Sequence, residues 1–234
     1  MGVSARIDAL AQDREHGASF LARRAVEILV ESAAAGEDPL EVARALAAAR
    51  PAMGAIAGAV GRVVAAANDP EQIVVEGRAL VARSERASRS IAVLVAPYVG
   101  GRVLTHSTSA TVAEVFRHGG AVETRELGDA NVVVVGADTV FCDGSVVNAA
   151  GTRDLAQAAS DAGVPVIVTA ETIKLVPAEP VAPEEEGFDL TPADLIDRIA
   201  TEEGIFPPAD ILALVDRSPF LRAGYELVAH AHVS

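Results

Sequence analysis

The stretch VVVVGADTVFCDGSVVNAAGTRDLAQAA, residues 132–159, carries the features that decide the fold and the candidate site. Its four consecutive valines are typical of a strand that is buried on both faces. The run ends at Gly136-Ala137-Asp138, so a carboxylate stands where the strand stops. A second short apolar run leads to Asn148, and Gly151-Thr152 opens an alanine-rich helix. A buried strand followed by a helix is the unit from which α/β sheets are built.

The sequence on both sides of this stretch continues the alternation of strands and helices. Helices are predicted over 110–118 and 152–162 by the spacing of their apolar residues. Because buried strands alternate with these helices, we predict an α/β fold with a mostly parallel sheet and right-handed crossovers. The predicted strands are the runs RVLT (102–105), AVET (121–124), NVVVV (131–135) and VPVIV (164–168).

The segment before the sheet is predicted to be helical throughout. Apolar residues follow helical spacing in GASFLARRAVEILVESAAA, residues 17–35. Asp38 is predicted to cap the next helix, with Pro39 at its first position. A third helix is predicted to open at Pro51, and a long fourth helix begins near Pro70.

The sequence beyond the last valine-rich run predicts one connector and two helices. The Pro- and Glu-rich segment PAEPVAPEEEG, residues 177–187, is predicted to be an exposed connector. The run from Thr191 to Asp194 is predicted to cap a helix over LIDRIA, residues 195–200. A last helix is predicted after Pro207-Pro208.

Composition excludes several classes of function. The net charge of −14 argues against a nucleic-acid backbone or an anionic membrane as a partner. Cys142 is the only cysteine, which rules out an internal disulfide and fits a reducing cytoplasm. No segment is apolar enough for a signal peptide or a spanning helix. The histidine and cysteine spacings predict no metal site, and the absence of a dinucleotide fingerprint leaves no cofactor to expect.

Polar residues follow the first predicted strand, at the edge of a parallel sheet where ligands bind. They are His106, Ser107, Thr108 and Ser109, directly before a helix. Hydroxyls combined with free N–H groups at a helix start favour an anion, above all phosphate. Thr108 or Ser109 could equally be a simple cap. We interpret His106 as a core side chain rather than a ligand.

Polar residues also follow the two valine-rich strands. Asp138 could act as a general acid or base or could hold a sugar hydroxyl, and the alternative is a structural turn cap. Lys174 could meet a phosphate or could be a solvated surface lysine. Nothing near Cys142 in the sequence indicates a lowered thiol pKa, so we do not expect a reactive thiol there.

Several blocks resemble one protein family in the family's own order: THSTSATVAEVF, VVVGADTVFCDGSVVNAAGT, VPVIVTAETIK and FDLTPADLIDRIATEEGI. This family comprises the alpha, beta and delta subunits of translation initiation factor 2B, and its related enzymes are methylthioribose-1-phosphate and ribose-1,5-bisphosphate isomerases. GASFLARRAVEIL and RPAMGAIAGAVGRVV resemble its helical domain. The resemblance implies a helical domain over residues 1–97, a Rossmann-like domain over 98–234, a phosphate-bearing ligand and a homodimer or larger oligomer.

The resemblance also implies roles for single residues. The Asp of the Gly-Ala-Asp block is the catalytic acid/base of the isomerases, and here it is Asp138. The Asn that helps hold the ligand is Asn148, and Gly151 and Thr152 shape the helix start. The predicted ligand-binding residues are His106, Ser107, Thr108, Ser109, Arg125, Asp138, Asn148, Gly151, Thr152 and Lys174, with Asp138 as the one catalytic candidate.

Three departures from the family pattern bear on activity. Ser107 stands where the isomerases have a catalytic Cys, and Ala149 stands where most members have Lys. Glu123-Thr124-Arg125 resembles the start of a Glu-(Ser/Thr)-Arg-Pro loop, but its Pro is absent. Only a short segment then separates Arg125 from Gly136, so roughly thirty residues, about one crossover unit, are missing. We therefore expect a smaller sheet.

Three functions are compatible with the sequence. The first is a non-catalytic binder of a sugar phosphate or nucleotide with a regulatory or translation-related role, which Ser107 and Ala149 favour. The second is an aldose–ketose isomerase acting on a phosphorylated ribose, which Asp138 and Asn148 favour. The third is an interaction module that binds no small molecule, which the deletion keeps open. We predict the first, because a fold alone does not fix an activity.

Overall fold

The computed structural model describes residues 2–106 and 109–229. The predicted helical layer is present, and two of its helices begin as their sequences predict. Asp38 accepts a hydrogen bond from the Leu40 amide at 2.9 Å, and Asp69 accepts one from the Gln72 amide at 2.8 Å. A proline follows each capping aspartate at the start of the helix, where no backbone N–H is needed. The helices of this layer are α1 (Val3–Gln12), α2 (Ala18–Ala34), α3 (Pro39–Ala49), α4 (Gly54–Ala66) and α5 (Pro70–Val95).

The third predicted helix starts later than expected. Pro51 lies in a turn, and α4 begins at Gly54. Gly54 sits so close to the second half of the chain that a Cβ there would lie 2.6 Å from Val176 Cγ1. The first turn of α4 is therefore packed directly against the α/β part of the protein.

The larger sheet has the order β2-β1-β3-β6-β8-β9, and all its neighbouring pairs are parallel except β8 with β9. The valine-rich runs become its central strands as predicted, because their side chains are apolar on both faces. The strands of this sheet are β1 (Arg102–Leu104), β2 (Val122–Thr124), β3 (Val132–Gly136), β6 (Val166–Thr169), β8 (Arg198–Thr201) and β9 (Gly204–Phe206).

Helices cover both faces of this sheet. Residues of α5 and of α6 (Ala110–Gly119) pack on one face against Val132, Val134 and Ile167. Residues of α7 (Thr152–Ala162) and α8 (Ile211–Arg217) pack on the other face. The predicted α/β class with a mostly parallel sheet is therefore confirmed.

A small antiparallel sheet was not expected from the sequence. Its order is β4-β5-β7, formed by β4 (Thr139–Val140), β5 (Val146–Ala149) and β7 (Phe188–Thr191). This sheet folds the segment after β3 back on itself. Asn148 in β5 therefore lies near Gly136 at the end of β3.

The helix predicted over residues 195–200 is wrong. Ala193–Leu195 forms only a short 3-10 helix, and Arg198–Thr201 is strand β8, paired in parallel with β6. Ile199 and Ala200 are fully buried on opposite faces of the sheet. Strand pairing and burial override the local pattern here.

The connection between β2 and β3 is short. Residues 125–131 alone join these two strands, although both are parallel to β1 and lie on opposite sides of it. A parallel crossover normally needs a dozen or more residues, usually with a helix. Only the short 3-10 helix Leu127–Asp129 stands in its place.

The last helix, α9 (Leu221–Ala229), returns to the helical layer. It crosses α4 at two glycines, and a Cβ on Gly224 would lie 2.3 Å from the Gly61 carbonyl carbon. Val228 and Ile173 both belong to the core of the helical layer. The core of that layer therefore takes residues from both halves of the chain.

Candidate functional site

The polar residues predicted at the strand ends surround the carboxyl edge of the larger sheet. His106 and Ser109 follow β1, Asp138 follows β3, and Lys174 follows β6. Ser107 and Thr108 lie outside the described residues. Open parallel sheets bind ligands at this edge.

Ser109, Gly136 and Asn148 meet at the end of β3. Ser109 caps α6 by accepting a hydrogen bond from the Val112 amide at 3.4 Å. A Cβ on Gly136 would lie 3.0 Å from Ser109 Oγ and 3.9 Å from Asn148 Oδ1. The missing side chain at Gly136 therefore leaves room between two polar groups.

Asn148 is held in a fixed orientation. It is 5% exposed, and its Nδ2 donates to Thr152 Oγ1 at 3.0 Å. Thr152 Oγ1 in turn donates to the Ala149 carbonyl at 2.6 Å. With its amide nitrogen engaged in this way, Asn148 presents its amide oxygen toward Gly136.

His106 is half-buried and contacts the start of α7. Its Nε2 lies 2.8 Å from the Ala150 carbonyl oxygen, and a Cβ on Gly151 would lie 3.1 Å from the imidazole ring. Gly151 has φ +97°, a conformation that favours glycine. The interpretation of His106 as a core side chain is wrong, because the residue is only half-buried.

The N-terminus of α7 is already occupied by a carboxylate of the protein. Asp189 accepts hydrogen bonds from the Gly151 amide at 2.7 Å and from the Arg153 amide at 3.2 Å. An anionic ligand would compete with this side chain, so Gly151 and Thr152 can shape the site but do not offer a free helix terminus.

Asp138 is the carboxylate that the sequence singled out, and its surroundings are unusual. Burial raises the pKa of Asp138, although nearby Lys174, a hydrogen bond from the Ala18 amide and the charge of Arg50 counteract that rise. Glu185 adds a like charge and raises the pKa further. A carboxyl group with a raised pKa can exchange a proton closer to neutrality.

Lys174 is 4% exposed, so the alternative of a solvated surface lysine is wrong. It lies in the short 3-10 helix Thr172–Lys174 that follows β6. Among the groups that lower the pKa of Asp138, Lys174 has the largest effect, through its charge. An ammonium group that is removed from water in this way favours an anionic partner.

Sequence reasoning missed a second buried cation, Arg50, at the end of α3. This side chain is 3% exposed. Its Nη2 lies 3.0 Å from Glu185 Oε1, its Nε donates to Glu185 Oε2 at 3.4 Å, and its Nη1 donates to the Asp13 carbonyl. We refer to Arg50, Asp138, Lys174 and Glu185 as the charged cluster.

Thr139 positions the cluster. Its hydroxyl accepts a hydrogen bond from the Gly54 amide at 2.7 Å and donates to the Ala52 carbonyl at 2.9 Å. Because Thr139 directly follows Asp138, these two bonds fix the segment after Arg50 beside the end of β3. The cluster therefore forms between the helical layer and the sheet.

The two remaining candidates lie outside this cluster. Arg125 is exposed after β2 and makes no ion pair or hydrogen bond with the described part of the chain. Cys142 Sγ donates to the Ala178 carbonyl at 3.1 Å. Burial, followed by the charges of Glu179 and Asp143, raises the pKa of Cys142. That is the opposite of what a reactive thiol needs.

A second buried carboxylate, Glu171, lies after β6. It accepts hydrogen bonds from Ser84 Oγ at 3.0 Å and from Ser88 Oγ at 2.9 Å. Thr111 Oγ1 lies at 3.5 Å. These three hydroxyls come from α5 and α6, so Glu171 joins both helices to the sheet.

Two absences apply to residues 2–106 and 109–229. No group of three or more His, Cys, Asp or Glu side chains there is placed to hold a metal ion. No helix in those ranges has the length and apolar character needed to cross a bilayer.

A helical layer on a mostly parallel sheet, with buried charges between them at the strand ends, defines an α/β protein whose candidate site lies between its layers. The family model described as the initiation factor 2 subunit family matches residues 124–187. The resemblance to the initiation factor 2B family that the sequence blocks show is confirmed by this match and by the relatives described next.

Two relatives show how these similarities are distributed. Ribose 1,5-bisphosphate isomerase of Archaeoglobus fulgidus is 40% identical over 106 aligned positions, which cover 35% of this chain and 34% of that protein. A translation initiation factor eIF-2B subunit 2-like protein of Pyrococcus furiosus is 26% identical over 268 positions, which cover 88% of this chain and 97% of the relative. This chain thus spans about a third of the isomerases that it matches.

Solved structures share the fold along most of the chain. Translation initiation factor eIF-2B of Pyrococcus horikoshii has a TM-score of 0.75 and 24% identity, and the match covers 88% of this chain and 97% of that one. The tetrameric eIF2B-beta2-delta2 complex from C. thermophilum gives a TM-score of 0.82 at 17% identity, with coverage of 92% and 94%. These likenesses confirm the fold.

The alignment to the isomerase also supports the predicted deletion. It extends over 106 positions but uses 35% of the 234 residues of this chain, or about 82, so about 24 positions of the relative have no counterpart. The short connection at 125–131 lies within the family match. The short connection is also the place at which the sequence predicts the deletion.

Proposed function

We propose that the chain binds a phosphorylated sugar at the charged cluster without converting it. The observation that carries the proposal is the pair of buried cations, Arg50 and Lys174, whose charges both act on the partly buried carboxylate of Asp138. Two cations in low-dielectric surroundings favour a phosphate group, and a carboxylate favours sugar hydroxyls. Ser109 and Asn148 would supply further polar contacts.

The absence of turnover rests on the groups available for proton transfer. Ser107 stands where the related isomerases have a cysteine. A thiol has an ordinary pKa of about 8.5, and a serine hydroxyl is far less acidic, so Ser107 is a poor acid near neutrality. Cys142 cannot replace that thiol, because it is bonded to the Ala178 carbonyl and its pKa is raised.

The biological setting that we propose is a regulatory, translation-related role in the cytoplasm. Relatives that match most of the chain are named as eIF-2B subunit 2-like proteins. We also propose a homodimer or larger assembly, since a structure of similar fold is a tetrameric complex. Exposed apolar side chains such as Val93, Tyr98 and Val122 suit such contacts. Sedimentation that shows a 24 kDa monomer at micromolar concentration would contradict the assembly.

A sugar-phosphate isomerase is the second candidate. It is favoured by the raised pKa of Asp138 and by 40% identity to a ribose 1,5-bisphosphate isomerase over the matched part. The test is an assay for the ketose bisphosphate with ribose 1,5-bisphosphate as substrate. We expect no turnover by the parent protein. Turnover that disappears in Asp138→Asn would establish the isomerase instead.

Binding is tested by calorimetry with ribose 1,5-bisphosphate. We expect Lys174→Met to weaken binding about tenfold or more, because a charge-assisted contact to phosphate is lost. The matched control is Arg78→Met, which removes the same charge from an exposed position on α5. If both variants bind as tightly as the parent, or if the parent does not bind, the proposed site is wrong.

A further inference from the structure

The connector, residues 177–187, contributes one side chain to the charged cluster. Glu184 and Glu186 are exposed, whereas Glu185 between them turns inward with 22% of its side chain exposed. Its carboxylate reaches Arg50 Nη2 at 3.0 Å and also lies 3.6 Å from Arg14 Nη2. Three successive glutamates on an exposed connector thus differ in direction, and only the middle one meets a buried cation.

Glu185 contacts the Nε and Nη2 groups of Arg50, which would otherwise be able to hold an anionic ligand. A guanidinium group offers a fork of N–H donors that matches a carboxylate or a phosphate. Glu185 uses this fork imperfectly, since its Oε1 is buried near Arg50 yet accepts no hydrogen bond of good geometry. A phosphate group with more acceptor oxygens could make the bonds that Glu185 leaves unmade.

The charges of the cluster also favour exchange of Glu185 for a ligand. With Glu185 in place, two cations face two carboxylates. With Glu185 turned away, Arg50 and Lys174 face only Asp138, and the cluster carries one uncompensated positive charge. A buried positive charge without a partner is costly, so an incoming anion would restore the balance.

The connector can release Glu185 without unfolding the sheets. It is fastened near its ends, where the Ala178 carbonyl accepts from the Cys142 amide at 3.4 Å and the Gly187 carbonyl accepts from the Ala150 amide at 2.8 Å. Pro180 and Pro183 stiffen the segment between these two points. A change confined to this segment would move Glu185 and leave β5 and β7 paired.

We propose that Glu185 is an internal competitor for the anionic group of the ligand, so that the connector closes the site until a phosphorylated ligand displaces it. This inference rests on the proposed function, because it requires a ligand at the charged cluster. A site that is open in only a fraction of the molecules shows an affinity reduced by that fraction. Removing the competitor should therefore tighten binding without adding a contact.

The test compares Glu185→Gln with Glu184→Gln and Glu186→Gln, which make the same charge change at exposed positions. Calorimetry with ribose 1,5-bisphosphate should show about tenfold tighter binding for Glu185→Gln, as expected when the open state is a minor species of about 10%. The two control variants should bind like the parent.

The other outcomes separate this proposal from the proposed function. If the parent and Glu185→Gln bind equally well, Glu185 is not a competitor, but the ligand site stands. If all three variants gain affinity equally, the gain comes from the loss of one negative charge at any position. Glu185 is then not a competitor either. If neither the parent nor Glu185→Gln binds, both proposals fail. Amide exchange of residues 181–186 should also become faster when ribose 1,5-bisphosphate is added, and unchanged exchange in a protein that binds would overturn the displacement.

Discussion

Asp138 and Glu171 occupy equivalent positions on neighbouring strands, and they differ in almost every other respect. Gly136 ends β3 and Thr169 ends β6, and these two residues are partners in the strand register. Each carboxylate follows its strand end by two residues. Glu171 is 1% exposed and is surrounded by hydroxyls, whereas Asp138 is only partly buried and faces Lys174 and Arg50.

The difference separates a carboxylate whose oxygens are taken up by hydroxyl groups from one that faces cations. The partners of Glu171 are short side chains of α5 and α6, and Glu171 and Ser84 also line a cavity of about 640 Å³. The groups that face Asp138 are the long cations Lys174 and Arg50. The strand that precedes Asp138 ends at a glycine, Gly136. Buried polar groups that are fully hydrogen-bonded stabilise a fold, while incompletely matched charges indicate a functional site.

The largest effect that we expect is on stability, from Glu171→Ala. The hydroxyls of Ser84 and Ser88 would lose their charged acceptor, and two such bonds together contribute about 3 kcal/mol. Urea unfolding at pH 7 measures the loss. The control is Glu203→Ala, an exposed partner of Arg217 at 3.5 Å, which should cost less than about 1 kcal/mol. Equal losses in the two variants would show that the hydrogen bonds of Glu171 do not stabilise the fold.

A smaller effect, with a defined sign, is expected from Asp138→Asn. The pKa of Asp138 is raised in the folded protein, so the folded state keeps a proton that the unfolded chain has already lost. The stability that the protonated Asp138 contributes is fully present below the ordinary pKa of about 3.9. It is lost as the pH rises through the raised pKa of the folded protein. Asn148 and the rest of the site are unchanged in this variant.

The measurement is urea unfolding of the parent and Asp138→Asn at pH 4 and at pH 7. The parent should lose stability relative to the variant between these two values, because asparagine does not titrate. Lys174, Arg50 and Glu185 face this position in both proteins, so the comparison isolates the carboxyl group. If the parent gains stability relative to the variant between pH 4 and pH 7, the charges of Lys174 and Arg50 lower the pKa of Asp138 more than burial raises it.

The smallest effect on stability is expected from Gly136→Ala. The new methyl group would lie 3.0 Å from Ser109 Oγ, and the tight contact is partly offset by the better strand propensity of alanine, leaving a net change within about 1 kcal/mol. Binding of ribose 1,5-bisphosphate should nevertheless weaken, since the space beside Asn148 is filled. Gly128→Ala, which adds a methyl group in open space, is the control. Unchanged binding in Gly136→Ala would place the ligand elsewhere.

The sequence predicts the central strands well, because a strand that is buried on both faces is a continuous run of apolar residues. The runs at 132–135 and 166–168 are continuous in valine and isoleucine, and both became central strands. The segment 195–200 has no such run, and the stretch from Thr191 to Asp194 before it imitates a helix start. Only pairing with β6 makes it a strand, and that partner lies some thirty residues earlier in the chain.

The candidate site is predictable only where it follows the strands. Asp138, Ser109 and Asn148 were found because each stands beside a strand end or helix start. Arg50 and Glu185 were missed because their contact joins positions 135 residues apart. The available signal was an arginine four positions before the start of the Ala- and Gly-rich helix 54–66, whose small residues allow close approach to the sheet.

The glycine crossing of α4 and α9 has a consequence for the order in which the protein can fold during its synthesis. Helix α9 covers Gly61 and accepts a hydrogen bond from Arg44 Nε at the Leu227 carbonyl, 3.1 Å away. The helical layer emerges first but stays uncovered until the α/β half has been translated. At ordinary elongation rates that interval is on the order of 10 s. Chaperones would meet this exposed helical face before the nascent chain can close it.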